Sequence, residues 1–168
     1  MKKAFRVALT IIITLVFLGS PAYADWAKEG DGDYRSAKQV NYEVLAMGKE
    51  RRQVNMSQLG VVVDAPKNSP FQDATFKAVG TVHVIGDKYT GSGFVEYVCT
   101  NGDKIYGTYT TKGISGKTQD TVLTLVGGTG GCAGIQGELK IDYGPRVKPA
   151  KKGVGQSYSV GTVSWKIP

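Results

Sequence analysis

The chain has 168 residues, 41% hydrophobic and 21% charged, with 23 Gly, 6 Pro, 2 Cys and a single His. Ordinary apolar content and aperiodic glycines exclude a disordered or collagen-like chain, and the few Cys and His exclude a disulfide-built miniature, a Cys/His zinc site and an iron–sulfur cluster. Three of the formal +7 charges are Lys2, Lys3 and Arg6, and the remainder are scattered, so a single domain with a cationic surface is expected and a nucleic-acid partner is not.

The chain opens with a basic stretch, Met1 to Arg6, followed by an uncharged apolar run from Val7 to Gly19. Ala22-Tyr23-Ala24 then precedes Asp25 in the A-x-A pattern of a signal peptide, so cleavage is expected after Ala24 and residues 1–24 are a leader. The apolar run is shorter than the roughly 20 residues of a spanning helix, and no integral membrane segment is expected after cleavage. The product is therefore expected in the periplasm or secreted. Asp25 to Lys38 is polar, Gly/Asp-rich and weakly periodic, and reads as a flexible N-terminal arm ahead of a domain at 39–168.

From there, β-branched and aromatic segments alternate with Gly, Asn, Asp and Pro, the pattern of an all-β domain. Eight strands are predicted: Tyr42–Met47, Val54–Val63, Phe76–Ile85, Gly91–Thr100, Lys104–Thr111, Thr121–Val126, Gly134–Tyr143 and Ser157–Ile167. Asn101-Gly102 between two of them is a strong hairpin signal, and Gly86-Asp87 marks a second. Eight short strands with interior glycines such as Gly80, Gly93, Gly107 and Gly137 suit a closed barrel, in which bends need glycine and no edge is left exposed. A β-sandwich is the alternative. Arg146 to Lys152, rich in Arg and Lys, reads as a solvated loop.

The densest motif is Gly127-Gly128-Thr129-Gly130-Gly131-Cys132-Ala133-Gly134-Ile135-Gln136-Gly137. It leads into a strand rather than a helix, so it is not a dinucleotide loop. Gly116-Lys117-Thr118 lacks the upstream Gly of a P-loop, whose place Thr111 takes. The glycine element instead resembles that of allene oxide cyclase-like and dirigent-like barrels. Two further stretches, Ser69-Pro70-Phe71 and the run from Gly91-Ser92-Gly93-Phe94 to Asn101-Gly102-Asp103-Lys104-Ile105-Tyr106-Gly107, resemble bacterial exported members of that group. The resemblance spans about Leu59 to Ile141, with Cys132 in place of the usual aromatic. It implies an eight-stranded antiparallel barrel with an apolar cavity, in a family that is often homo-oligomeric, and it carries over no catalytic residue.

Candidate site residues come from the strands. Glu96 lies between Phe94 and Val98 on one face; inside a barrel its carboxyl would be raised and able to act as an acid or base, whereas outside it would leave Tyr97 facing inward. Because strand register is open, Phe94, Glu96, Tyr97 and Tyr109 are all candidate ligand-binding residues, with Glu96 the one catalytic candidate. Glu138 and Asp142 carry the same ambiguity. Tyr97, Tyr106, Tyr109, Tyr143 and Tyr158 suit either a cavity for an amphipathic ligand or a barrel wall. His83 has no catalytic or metal partners in the sequence and reads as a surface or satisfied residue; neither metal nor cofactor is expected. The expected function is binding of a small apolar or amphipathic molecule without catalysis, with an isomerase or cyclase as the alternative. Cys99 and Cys132, the only thiols of an exported chain, are expected to form one disulfide, against the rival of two buried thiols.

Overall fold

The computed structural model describes residues 26–142, 146–148, 150–151 and 154–168. The expected leader, Tyr143 and parts of the basic loop at 146–152 lie outside them. Nine strand segments follow in chain order: β1 Glu29–Ala46, β2 Arg51–Asp64, β3 Thr75–Ile85, β4 Lys88–Val98, β5 Lys104–Ile114, β6 Thr118–Gly128, β7 Gln136–Asp142, β8 Arg146–Val147 and β9 Val154–Lys166. Each pairs antiparallel with its neighbour, and β1 pairs with β9 from Glu29↔Lys166 to Asn41↔Val154. That last pairing closes an eight-stranded barrel, with the two-residue β8 continuing the line of β7 along β9. Closure removes the sandwich alternative.

The period-two alternation sorts side chains to the two faces of the wall. Phe76, Ala78, Val95, Tyr97, Ile105, Tyr109, Leu123, Leu125, Leu139 and Val163 face inward and are buried. The Asn-Gly hairpin forms as expected, with Gly102 at φ +88 and its amide donating to the Cys99 carbonyl at 2.9 Å. Gly86 takes φ +60 in the β3–β4 turn.

The expected arm is a correction. From Glu29 onward it is strand β1, hydrogen-bonded on both sides, so the barrel begins ten residues before position 39. Its inner face starts with Gly30 and Gly32, which lie against the Trp165 indole and Pro66. The apolar bulk that holds this strand comes from its partners, and a hydrophobic pattern read along the strand itself is weak there.

The connection between β2 and β3 closes one end of the barrel. Its turns are held by Ser69 N–H donating to the Pro66 carbonyl (3.1 Å) and Ala74 N–H to that of Phe71 (3.1 Å). Phe71 is fully buried, edge-on to Tyr97 (centroids 5.4 Å apart) and Trp165 (6.2 Å). Such edge-to-face pairs add about 0.5–1.5 kcal/mol each beyond area burial. The Trp165 indole N–H donates to the Ala27 carbonyl at 2.8 Å, tying the start of the described chain to the same plug.

The glycine-rich element packs beside this end. After β6 it makes a short 3₁₀ turn, Gly130–Cys132. The Asp103 carboxylate accepts the Gly131 N–H at 2.8 Å, and Thr129 Oγ1 accepts the Lys104 N–H at 2.9 Å. A side chain at Gly130, already at φ +53, would collide with Asp103. The element is a structural clasp between β5 and β7.

Cys99 and Cys132 do meet there, but as buried free thiols with sulfurs 3.8 Å apart. A disulfide bond measures about 2.05 Å, so the expected bond is corrected to a thiol pair. Sharing one hydrogen bond raises the Cys99 thiol above its ordinary pKa, with burial adding to the effect. Titration of the unfolded, unreduced protein with a thiol reagent is therefore expected to find two free thiols per chain; none would contradict this packing.

Candidate functional site

Above the plug the barrel interior holds a cavity of about 80 Å³, between the Tyr34–Tyr97 pair and the end where the hairpins turn. By the measure in which about 10–15 Å³ holds one water, this is room for a few waters or one small ring. Phe76, Ala78, Val95, Leu123 and Ile141 supply apolar walls. Apart from Met56, the rest of the lining carries polar groups.

Strand β1 supplies one side. Tyr34, Ser36 and Lys38 stand at alternate positions and project inward together. The Tyr34 and Tyr97 hydroxyls lie 3.3 Å apart, and both phenols titrate above their ordinary range because of burial. Lys38 Nζ donates to Ser159 Oγ of β9 at 2.8 Å. Lys38 is half-buried by surface area, yet wall atoms crowd its ammonium enough that desolvation lowers its pKa from 10.5 to about 8.

Facing it, Thr111 of β5 and Thr121 of β6 share a hydrogen bond of 2.8 Å, and Gln119 Nε2 donates to Thr121 Oγ1 at 2.9 Å. Tyr109 lies across the inner faces of Gly80 and Gly93, where any Cβ would collide with its ring or hydroxyl. Its buried hydroxyl has no hydrogen-bond partner among the described residues. Buried polar groups are normally satisfied, and an unpartnered hydroxyl on a cavity-lining ring is a place where a ligand atom or a water would be favourable.

The four expected ligand-binding residues divide by register. Tyr97 and Tyr109 line the cavity. Phe94 is on the outer wall, 67% exposed. Glu96, its neighbour on that face, is ion-paired to Lys77 (3.2 Å) and Lys104 (3.4 Å). The catalytic expectation for Glu96 is thereby corrected: partial burial raises its carboxyl, but hydrogen bonds and charge from the two lysines outweigh this and hold it below the ordinary carboxylate range. The alternation that sends Val95 and Tyr97 inward sends Phe94 and Glu96 outward. Glu138 also faces outward, paired to Lys140 at 3.0 Å, and Asp142 is exposed. Tyr106, Tyr158 and His83 are on the outer wall too.

Sequence reasoning missed Tyr34, Ser36, Lys38 and Ser159. The signal was the alternation Tyr34, Ser36, Lys38, Val40, Tyr42, which runs unbroken into the predicted first strand. Among the described residues no cluster of three His, Cys, Asp or Glu side chains is placed to hold a metal, and no helix is long and apolar enough to cross a membrane.

No family model and no curated protein sequence matches the chain. A solved structure of a pterocarpan synthase dirigent protein superposes on it with a TM-score of 0.50 at 13% identity, over 89% of this chain and 96% of that one. The chain has a dirigent-like barrel fold. At that identity the likeness concerns architecture, and function must be argued from the cavity itself.

Proposed function

We propose that this protein is an exported barrel that holds one small amphipathic molecule in its interior without transforming it. The observation that carries the reading is the cavity. Its apolar walls are interspersed with an ammonium and hydroxyls, and the ring of Tyr109, whose hydroxyl is unsatisfied, lies along it. Concave sites with a few converging polar groups on apolar walls are where small molecules bind, and an eight-stranded barrel is just wide enough for one. The leader-like start of the sequence supports export. The cyclase alternative is less well supported, because Glu96, its candidate acid, stands on the outer wall, and among the described residues no carboxylate lines the cavity.

Thermal melting against a panel of small aromatic and aliphatic amphiphiles tests the reading. At least one compound should raise the wild-type melting temperature and be recovered chemically unchanged. Ala78→Leu, which fills space at the inner wall, should abolish the shift. A panel without effect, or a shift that survives Ala78→Leu, overturns the interior site; recovery of an isomerised compound moves the assignment to the cyclase reading.

A further inference from the structure

Resting on the small-ligand reading, we propose that the occupant is an acid, its carboxylate held by Lys38 and Ser159 and its apolar body against Phe76, Val95 and Leu123. Lys38 carries three N–H donors, and the hydrogen bond described for it goes to a neutral hydroxyl, Ser159 Oγ at 2.8 Å. An ammonium among wall atoms is costly unless paired with an anion.

Among the described residues that line the cavity with Lys38, none carries a negative charge. From the other elements these include Gln58 of β2, Tyr97 of β4, Tyr109 of β5, Gln119 of β6 and Ser159 of β9, with Tyr34 on β1 itself. The three phenols all titrate above their ordinary range through burial, so they stay neutral wherever Lys38 is charged. Among the described residues the carboxylates paired with lysines, Glu29, Glu96, Asp120 and Glu138, meet lysines other than Lys38. A ligand carboxylate is the missing counter-charge.

The second observation is independent of charge. The Tyr109 hydroxyl is buried beside Gly80 and Gly93 and has no partner among the described residues, and the Tyr109 side chain lines the same cavity. A hydroxyl or carbonyl on the ligand body would satisfy it, which favours a polar-substituted acid over a plain hydrocarbon one. The cavity of about 80 Å³ favours a single ring or a short chain.

Calorimetric titration with benzoate and with neutral benzyl alcohol tests the assignment. At pH 7 the wild type should bind benzoate at least about tenfold more tightly, because a desolvated charge pair discriminates strongly between a charged and a neutral partner. Lys38→Met, which keeps the length of the side chain and removes the charge, should bring the two within about twofold. Between pH 7 and 9 wild-type benzoate affinity should fall about tenfold as Lys38 loses its proton through about pH 8, while benzyl alcohol binding stays level. Equal binding of both compounds, or a benzoate preference that persists in Lys38→Met, overturns the acid assignment and leaves the small-ligand reading intact. If neither binds while the melting panel gives a cavity-dependent hit, the acid assignment falls; if the panel is silent as well, both fall.

Discussion

Lys38→Met is expected to stabilise the ligand-free protein by about 2 kcal/mol at pH 7. The folded-state pKa of Lys38 lies near 8 against 10.5 for the free side chain. A lysine whose pKa is depressed in the fold opposes folding while both states are protonated, and the difference of about 2.5 units is worth about 3 kcal/mol. Methionine removes that penalty but orphans the Ser159 hydroxyl, which gives back about 1 kcal/mol. The sign of the pH dependence follows from proton binding. Between pH 8 and 10.5 the unfolded chain holds more protons at this position, so wild-type stability rises with pH and the advantage of Met shrinks. Urea denaturation of both proteins at pH 7 and pH 10 checks this. A variant less stable than wild type at both pH values would mean that Lys38 already has a counter-charge in the free protein.

Phe71→Ala is expected to lower stability by about 3–5 kcal/mol, the range for deleting a fully buried aromatic ring. The ring fills the end of the barrel and is the shared edge-to-face partner of Tyr97 and Trp165. Its loss leaves an apolar void under the cavity floor that a closed wall cannot easily collapse into. For a domain whose total stability is about 5–15 kcal/mol, this is a large fraction. Phe71→Leu, which conserves most of the volume, should cost less than about 2 kcal/mol. Denaturant midpoints of the two variants check the ordering; equal and small losses would mean that the β2–β3 connection is not the plug.

Most of the wall was legible in the sequence, because after position 42 the strands carry their own apolar face. Phe76, Ala78 and Val82 alternate with Lys77, Val79 and Thr81, and turn residues mark both ends. The beginning of β1 was not legible for the same reason in reverse. Gly30 and Gly32 are small so that Trp165 and Pro66 can lie against them, and a strand whose partners bring the bulk looks like a linker.

The face of β4 was undecidable locally. Phe94 and Val98 on one side balance Val95 and Tyr97 on the other, and only pairing with β3 and β5 settles which looks inward. Lys38 was hidden more deeply. A lysine in a polar stretch gives no sign of burial until β9, 121 residues away in sequence, places Ser159 beside it. The thiols show the opposite limit: their neighbourhood was readable from the placement of the strand end and the glycine loop, but the state of the sulfurs was not.

The central claim is that the barrel interior holds a small molecule. Native mass spectrometry of protein isolated from the cells that make it, followed by extraction and analysis of whatever is released, tests that claim most directly. The account predicts one equivalent of a small acidic molecule in the wild type and its absence from Ala78→Leu. A wild-type mass equal to that of the bare polypeptide, with nothing released on denaturation, would contradict it.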